Sequence, residues 1–240
     1  MTKVKLENHE RFENVFWITL EDGLPRLATK NLVAGEKIYG EKLVSINGNE
    51  YRLWNANRSK LAAAILKKIN INPIKPGTKV LYLGAASGTT PSHVSDIVMD
   101  SGLLYCVEFS ARVCRDLVKV CEKRKNMIPI LADARTPEKY SSFVRGVSVI
   151  YSDVAQQEQA MIIFENAKWF LEENGYVLFC IKSRSIDVTK KPEEIYKKEI
   201  ETLKELGFEI LQQVHLDPLS SDHAFVIARY VNPFKWRENP

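Results

Sequence analysis

The chain has 240 residues, which is enough for one large α/β domain and a small appendage. Hydrophobic residues make up 45% of the sequence and charged residues 27%, a composition that excludes a disordered or fibrous protein. The formal net charge of +4 is compatible with an RNA partner but is also common among enzymes that bind no nucleic acid.

The N-terminal residues 1–13 are polar and lack the apolar segment of a signal peptide, and no apolar run approaches the length of a membrane span. The four cysteines form no Cys-x-x-Cys pair. We therefore expect reduced, mostly buried thiols in a cytoplasmic protein that contacts no membrane.

Short runs rich in β-branched and aromatic residues recur in the first part of the chain, separated by turn residues. These runs are residues 15–20, 26–29, 42–46 and 51–53. Asn47 and Gly48 between the last two runs are a strong hairpin signal. We predict a small antiparallel N-terminal β domain over residues 1–53 and a main domain over residues 54–240. The small domain either packs on the main domain or offers a docking surface.

Apolar residues at helical spacing follow the small domain. They are Leu61, Ile65, Leu66 and Ile69. They predict a helix that begins near Arg58 or Ser59, with Asn57 as the candidate cap. Arg58 and Lys60 fall in its first turn, where the helix dipole disfavours positive charge. A broken local rule of this kind marks either a functional site or an ordinary solvated pair of cations.

Residues 79–83 form a continuous β-rich run, which predicts a strand buried on both faces. The run leads into Gly84 and Gly88, which let the backbone turn tightly and let a ligand approach. Thr90 is the candidate N-cap of the next helix, and Pro91 fits its first position. A strand, a glycine turn and a helix N-terminus form a nucleotide-type cradle, although the spacing is not that of the dinucleotide fingerprint. An ordinary tight turn is the alternative.

Two further predicted strands are followed by acidic residues. Residues 103–108 end at Glu108, where a nucleotide-binding fold places a carboxylate on the two ribose hydroxyls. Asp133 follows the strand at residues 127–131 and can accept a hydrogen bond from an adenine amino group. Either acid alone is more often a cap or a loop carboxylate, but the pair at successive strand ends favours a cofactor site.

A fourth strand, beginning at Val147, leads into Asp153, and a fifth at residues 176–181 leads into Lys182. Ligands of open α/β sheets bind outside the carboxyl ends of the strands, so Asp153 should point at the same crevice. A lysine at such a strand end must turn outward or find a carboxylate, because burying it unpaired is costly. We therefore expect Lys182 to pair with Asp153.

The last part of the chain predicts a charged amphipathic helix and two closing strands. These elements cover residues 193–206, 208–215 and 224–230. His223 stands just before the last strand, where a single histidine is usually a structural hydrogen-bonding residue.

This order of strands and helices resembles the class I S-adenosylmethionine-dependent methyltransferases, and within that class the chain is similar to the fibrillarin family in its short archaeal form. The resemblance runs in order along nearly the whole chain. It rests on residues 54–55, 58–63, 82–90, 107–110, 132–135, 153–156, 181–187 and 222–224, and it departs from the family pattern at Ala56-Asn57 and Gln157-Glu158. The Gly-Ala-Ala-Ser-Gly-Thr-Thr and Arg-Ser-Lys-Leu-Ala-Ala blocks are specific, whereas Asp-Ala-Arg alone is not.

The resemblance implies a Rossmann-like domain with a seven-stranded, mostly parallel sheet and an antiparallel edge strand, besides the small N-terminal domain. It also implies 2′-O-methylation of ribose in rRNA and tRNA, with S-adenosylmethionine as cofactor and no metal. The implied partners are a box C/D guide RNA that selects the target, a Nop-family scaffold protein and a kink-turn-binding ribosomal-type protein.

The resemblance also assigns residues to roles. The implied catalytic set is Lys60, Asp153, Lys182 and His223. The implied cofactor-binding residues are Gly84, Ala85, Ser87, Gly88, Thr89, Thr90, Glu108, Phe109, Asp133, Ala134, Asp153, Val154, Ala155 and Gln156. Arg58 and Arg184 are candidate phosphate contacts for RNA. Two neighbouring lysines should lower each other's pKa, and an aspartate between them should limit that effect.

Two other classes remain open. A small-molecule methyltransferase would share the cofactor-binding half but would not explain the cations expected at the crevice. An RNA-assembly subunit without methyltransferase activity would share the fold but would not need the implied catalytic set. The proposed chemistry requires Lys60, remote in sequence, to lie beside Asp153 and Lys182.

Overall fold

A computed structural model describes residues 4–231, so the ends of the two predicted domains, residues 1–3 and 232–240, lie outside the described part of the chain. Twelve strands in this part form two separate sheets. None of the helices between residues 4 and 231 combines the length and the apolar character that a bilayer crossing requires.

The first sheet is antiparallel and has the strand order β1-β2-β3-β5-β4. Its strands are β1 (Lys5–Asn8), β2 (Val15–Thr19), β3 (Pro25–Lys30), β4 (Leu43–Ile46) and β5 (Asn49–Leu53). Asn47 and Gly48 join β4 to β5, both with positive φ, as the mirror-image hairpin turns require. The predicted hairpin is confirmed. The sheet ends at the predicted domain boundary, but the division into two domains stays a prediction.

The second sheet has seven strands in the order β11-β12-β10-β9-β6-β7-β8. They are β6 (Lys79–Leu83), β7 (Leu103–Glu108), β8 (Met127–Leu131), β9 (Val147–Ser152), β10 (Leu171–Lys182), β11 (Phe208–His215) and β12 (His223–Tyr230). Strands β6 to β10 are mutually parallel, and β12 runs antiparallel to both its neighbours. The predicted mostly parallel sheet is therefore present, with the antiparallel strand one position inside the edge rather than at it.

Within residues 4–231, six α-helices connect these strands or flank the second sheet, besides two short 3-10 helices. They are α1 (Lys60–Leu66), α2 (Thr89–Val98), α3 (Ala111–Lys123), α4 (Gln159–Phe170), the single turn α5 (Ser183–Ile186) and α6 (Pro192–Glu205). Apolar residues of α1, α2 and α3 pack with the N-terminal sheet on one face of the second sheet, and those of α4 and α6 pack on the other face. The second sheet is thus covered on both sides, as buried parallel strands require.

Two predicted helix caps were wrong for local reasons. The N-cap of α1 is Ser59, whose Oγ accepts a hydrogen bond from the Ala62 amide, and not Asn57. The N-cap of α2 is Gly88 in the left-handed region with φ +91°, so Thr90 lies inside the helix. Helix α4 ends at Phe170, and β10 begins at Leu171 with an irregularity in its pairing with β9 between Leu171 and Tyr176.

Candidate active site

A cavity of about 600 Å³ opens at the carboxyl ends of β6, β7, β9 and β10. Its size lies within the range of about 300–1,000 Å³ that is typical of small-molecule sites. Most of the residues implied to bind the cofactor line it. They are Gly84, Ala85, Ser87, Thr89, Thr90, Glu108, Phe109, Ala134, Asp153, Val154, Ala155 and Gln156. The lining also includes Arg58, Lys60 and Lys182.

The glycine turn after β6 brings two backbone segments into close approach. Gly84 has φ +79°, and a Cβ there would lie 2.7 Å from the carbonyl oxygen of Asp153. Gly88 does not line the cavity; a Cβ on it would touch Leu117 and Val120 of α3 at 3.4 Å. Glycine is the only residue that can occupy position 84 without displacing the loop that carries Asp153.

Glu108 is held at the rim of the cavity by backbone amides. Its Oε2 accepts from the Ala86 amide at 2.9 Å, and its Oε1 accepts from the Ser110 amide at 2.8 Å. Each carboxylate oxygen keeps a second lone pair for a ligand hydroxyl. The arrangement suits the ribose-binding role predicted from the sequence.

Asp133 is placed differently from Glu108. Its carboxylate binds the Arg135 guanidinium, with Oδ2 2.6 Å from Nη2, and this hydrogen bond lowers the pKa of Asp133. Its neighbours Ala132 and Ala134 line the cavity, whereas Asp133 itself does not. The contact between Asp133 and an adenine amino group therefore stays a prediction.

Two lysines and one aspartate of the cavity lining lie side by side. We call Lys60, Asp153 and Lys182 the lysine set. Lys60 Nζ lies 3.1 Å from each carboxylate oxygen of Asp153. Lys182 Nζ lies 2.8 Å from Asp153 Oδ1 and donates to the Asp153 carbonyl oxygen at 2.6 Å. The structure thus brings together three residues that are up to 122 positions apart, counted from Lys60 to Lys182.

The three side chains of the lysine set are 15–21% exposed, so they are largely desolvated yet open to the cavity. Burial has the largest single effect on the pKa of Lys60 and lowers it, but the charge of Asp153 and the hydrogen bond to it act in the opposite direction, and the net pKa of Lys60 is raised. We expected the aspartate to limit the lowering of the two lysine pKa values, and for Lys60 the net shift is upward. The set carries two cations and one anion.

Gln159, which the sequence analysis did not identify, fixes the backbone of Lys182. Its Oε1 accepts from the Lys182 amide at 3.0 Å, and its Nε2 donates to the Lys182 carbonyl at 3.3 Å. Gln159 is the first residue of α4 and is fully buried. Polar residues are common at the start of a helix, so the sequence offered no specific signal for this role of Gln159.

His223 lies opposite Lys182 in the pairing of β10 with β12. Its Nδ1 lies 2.6 Å from the Ser221 carbonyl oxygen; a carbonyl can only accept, so Nδ1 carries the proton. Burial lowers the pKa of His223, and the charges of Lys60 and Lys182 also lower it. The ring is therefore neutral at pH 7, with Nε2 as an acceptor.

The two candidate RNA-binding arginines have different surroundings. Arg58 lines the cavity, and its guanidinium lies 5.9 Å from the centroid of the Tyr39 ring. Arg184 is outside the lining and donates from Nε to Asp222 Oδ2 at 3.0 Å. Arg58 is therefore more available than Arg184 for binding a phosphate, because Arg184 already pairs with Asp222.

A second group of charges, which the sequence analysis missed, lies between the N-terminal sheet and α2. We call it the junction cluster: Glu41, Arg52, His93, Asp96 and Arg124. Asp96 accepts from Arg52 Nη1 at 2.8 Å and from Arg124 Nη1 at 2.6 Å. Arg52 Nε also donates to Glu41 Oε1 at 2.8 Å. All five residues are at most 6% exposed.

His93 completes the junction cluster as a neutral ring. Its two nitrogens lie 2.8 Å from Thr29 Oγ1 and 2.8 Å from the Tyr39 hydroxyl, and the ring stacks on Trp54 with centroids 4.8 Å apart. Burial and the charges of both arginines hold the pKa of His93 well below its ordinary value of 6.5. The helix that begins at the glycine turn is thereby tied to the N-terminal sheet.

Known proteins resemble this chain over nearly its whole length. The fibrillarin family profile matches residues 6–232. A Methanopyrus kandleri protein named fibrillarin-like rRNA/tRNA 2′-O-methyltransferase is 52% identical over 230 residues, which cover 96% of this chain and 99% of that relative.

Two solved structures are similar over nearly the whole chain, and they confirm the predicted fold class. Aeropyrum pernix fibrillarin with natively bound S-adenosyl-L-methionine has a TM-score of 0.89 and 54% identity, covering 95% of this chain and 100% of that one. A chain from a fibrillarin/Nop5p complex has a TM-score of 0.81 and 42% identity, covering 92% and 99%.

Proposed function

The chain belongs to the fibrillarin family, and on that premise we propose that it methylates the ribose 2′-hydroxyl of rRNA and tRNA with S-adenosylmethionine as methyl donor. We further propose that it acts as the methyltransferase subunit of a box C/D ribonucleoprotein, in which a guide RNA selects the target. The observation that carries the proposal is the lysine set at the end of a cavity with a nucleotide-type cradle.

The residues of the cavity fit the donor. The glycine turn leaves space beside the loop of Asp153, and Glu108 offers two carboxylate oxygens at the rim. When bound, S-adenosylmethionine supplies a methyl group activated by a positively charged sulfur. The solved relative from Aeropyrum pernix holds this compound.

A ribose hydroxyl is a weak nucleophile, so its activation is the difficult part of the reaction. The lysine set can assist this activation. As the new oxygen–carbon bond forms and the carbon–sulfur bond breaks, the hydroxyl must lose its proton. Lys60 stays an ammonium ion, since its pKa is raised, and stabilises negative charge on that oxygen. We assign to Lys182 one of two roles: its neutral amine, formed by loss of a proton to solvent, accepts the hydroxyl proton, or its ammonium ion stabilises the oxygen while the hydroxyl proton passes to solvent through the open cavity. Asp153 orients both lysines.

His223 and two arginines complete the proposed site. His223 supports Lys182 from the neighbouring strand and adds an uncharged acceptor beside two cations. Arg58 and Arg184 contact phosphates of the RNA, which positions the target strand without reading its sequence.

The proposed partners follow from the family. A solved relative forms a complex with Nop5p, so we propose a Nop-family scaffold protein as the direct partner of this chain. A box C/D guide RNA and a kink-turn-binding ribosomal-type protein complete the proposed particle. We propose that the particle acts in the cytoplasm.

The two alternative classes explain fewer of the observed contacts. A small-molecule methyltransferase would not need Arg58 and two lysines around one cavity end. An inactive assembly subunit would have no use for Lys60 and Lys182 within 3.1 Å of one carboxylate.

The test is radiolabelled methyl transfer to a guide-matched RNA by the reconstituted particle, with the product analysed as methylated ribose or methylated base. We expect methylated ribose at the position that the guide selects. The Lys182→Ala variant should lose transfer while its affinity for S-adenosylmethionine stays near that of the wild type. Methylation of a base, or near-normal turnover in the variant, would contradict the proposal.

A further inference from the structure

Glu199 of α6 is a buried carboxylate without a paired cation. Its side chain belongs to a residue that is 5% exposed, and among residues 4–231 no lysine, arginine or histidine forms an ion pair with it. Burial raises the pKa of Glu199, whereas the Ala160 amide and the charge of Lys198 act to lower it. Burying a carboxylate without a paired cation is costly, and residues that break a local rule in this way often serve a functional site.

The carboxylate of Glu199 holds the start of α4. Glu199 Oε2 accepts a hydrogen bond from the Ala160 amide at 2.9 Å, across 39 positions of the chain. Ala160 is the second residue of α4, where a backbone N–H has no partner within the helix. Glu158 at the N-cap position makes no side-chain hydrogen bond to the helix, and the first turn carries no acidic residue. The start of α4 is therefore held by a side chain of α6 rather than by a local side-chain cap.

Gln159, the first residue of α4, binds both Lys182 and the wall of the cavity. Its Oε1 accepts from the Lys182 amide, and its Nε2 donates to the Lys182 carbonyl. Nε2 also donates to the carbonyl of Gln156, a residue of the cavity lining, at 3.1 Å. The side-chain amide thus uses its oxygen and both of its hydrogens. Hydrogen bonds therefore lead from α6 through the start of α4 to the backbone of Lys182.

The apolar contacts between α4 and α6 do not by themselves fix this alignment. Ala160 and Ile163 of α4 share one buried cluster with Ile195, Ile200 and Leu203 of α6. Hydrophobic attraction holds the two helices together but is non-directional, whereas a hydrogen bond has a preferred length and angle. The carboxylate contact thus supplies a directional constraint on the first turn of α4.

We propose that Glu199 is a positioning residue for methyl transfer, acting through Gln159 on the backbone of Lys182. The proposal rests on the function proposed above. Glu199 is not among the residues that line the cavity, so its effect reaches the reaction through the position of the Lys182 ammonium group. A displacement of about 1 Å at a reacting centre can cost about a hundredfold in rate, so a small shift of α4 has a measurable effect.

The experiment measures single-turnover methyl transfer by the reconstituted particle with saturating donor and RNA. Glu199→Met keeps the length of the side chain and fills the same space but removes the acceptor, so the variant should fold. We expect its rate to fall about ten- to a hundredfold, with the affinity for S-adenosylmethionine within about threefold of the wild type. Glu199→Gln keeps an acceptor oxygen for the Ala160 amide and should transfer within about threefold of the wild-type rate.

The matched control is Ile200→Val on the same helix. This variant removes one methylene group from the buried cluster and lowers stability, but it removes no polar contact. It should keep the wild-type rate. A loss of rate in Glu199→Met without a comparable loss in Ile200→Val separates positioning from a general weakening of the packing of α6.

A second measurement does not depend on turnover. In the full-length chain, the Lys182 amide should exchange its hydrogen about tenfold faster in Glu199→Met than in the wild type, because its acceptor on Gln159 is less firmly held. The amide of Phe179, in the interior of the same strand, reports any change in global stability and serves as the reference.

A wild-type rate in Glu199→Met, or Lys182 exchange that rises no more than that of Phe179, would overturn the proposal. Equally slow transfer in Glu199→Met and Glu199→Gln would also overturn it, because the hydrogen bond to Ala160 would then not set the rate. A wild-type particle that transfers no methyl group would instead overturn the proposed function, and the exchange measurement would still decide on Glu199.

Discussion

The junction cluster and the lysine set are both networks of cations around a central aspartate, but they differ in exposure and in balance. In the junction cluster Asp96 and Glu41 face Arg52 and Arg124, so two negative charges meet two positive charges with no side chain more than 1% exposed. In the lysine set two cations share Asp153 and remain 19–21% exposed. Removing one partner from the closed network would leave an uncompensated buried charge, whereas in the proposed function the open network keeps positive charge available to a substrate.

The largest expected effect comes from unbalancing the closed network. Asp96→Ala leaves two buried guanidinium groups without their shared carboxylate and should lower the free energy of unfolding by about 3–5 kcal/mol. Denaturant unfolding at pH 7 measures it. The control is Asp116→Ala, which breaks an exposed ion pair with Lys119 and should leave the unfolding midpoint near that of the wild type. Equal midpoints for the two variants would show that the junction cluster does not stabilise the fold.

The second prediction concerns the open network and separates the two roles left for Lys182. Arginine keeps the positive charge but cannot act as a base, since its pKa exceeds about 12. We expect Lys182→Arg to transfer methyl groups about ten- to a hundredfold more slowly than wild type, yet faster than Lys182→Ala, because the charge matters most. Single-turnover rates with saturating donor and RNA measure this.

Unfolding of both Lys182 variants should occur near the wild-type midpoint, in contrast to Asp96→Ala. If Lys182→Arg is as inactive as Lys182→Ala, Lys182 is the proton acceptor, and the positive charge alone does not suffice.

The third prediction uses pH to perturb the junction cluster. Because the pKa of His93 is well below 6.5 in the folded protein, the unfolded chain takes up a proton at higher pH than the folded one does. The stability that the neutral ring contributes is complete above pH about 6.5 and declines as the pH falls, by up to about 1.4 kcal/mol per pH unit.

Denaturant unfolding of the wild type and of His93→Gln at pH 7 and pH 5 measures this decline. His93→Gln should be less stable at pH 7 but lose less stability on acidification. A parallel decline in both proteins would show that His93 does not titrate on unfolding.

The smallest effect is expected for the arginines near the open network. Among residues 4–231 Arg58 forms no ion pair with a carboxylate, whereas Arg184 is paired with Asp222. Arg58→Ala should therefore weaken RNA binding more than Arg184→Ala and reduce the slope of log K against log salt by about 1. Binding titrations at several salt concentrations measure this, with Arg229→Ala on β12 as the control. An unchanged slope in Arg58→Ala would rule out a phosphate contact.

The two networks also mark what the sequence could and could not predict. Strands β6 and β7 were predicted at the observed bounds, because buried parallel strands are continuous apolar runs. The pairing of Lys182 with Asp153 followed from the order of neighbouring strands. By contrast, β1 was missed, since its residues Lys5–Asn8 are mostly polar and show no apolar alternation.

The junction cluster could not be predicted because its partners are distant in sequence and come from four separate elements or loops. Arg52 and Asp96 are 44 positions apart, and Arg124 reaches Asn31 across 93 positions. Local pattern shows that Asp96 is polar within a helix but does not name its partner. Lys60 is equally remote from Asp153, and only the family resemblance indicated that pairing.

In the proposed reaction, Gly84 links the cradle for the methyl donor to the position of Lys182. The Asp153 carbonyl oxygen that a Cβ at position 84 would meet at 2.7 Å is the same atom that accepts from Lys182 Nζ at 2.6 Å. A side chain at this one position would displace the Asp153 carbonyl and, through it, the ammonium group of Lys182. If the proposed roles hold, a substitution at position 84 made to change donor binding should also change the rate of methyl transfer, because the cradle and Lys182 meet at the same carbonyl oxygen.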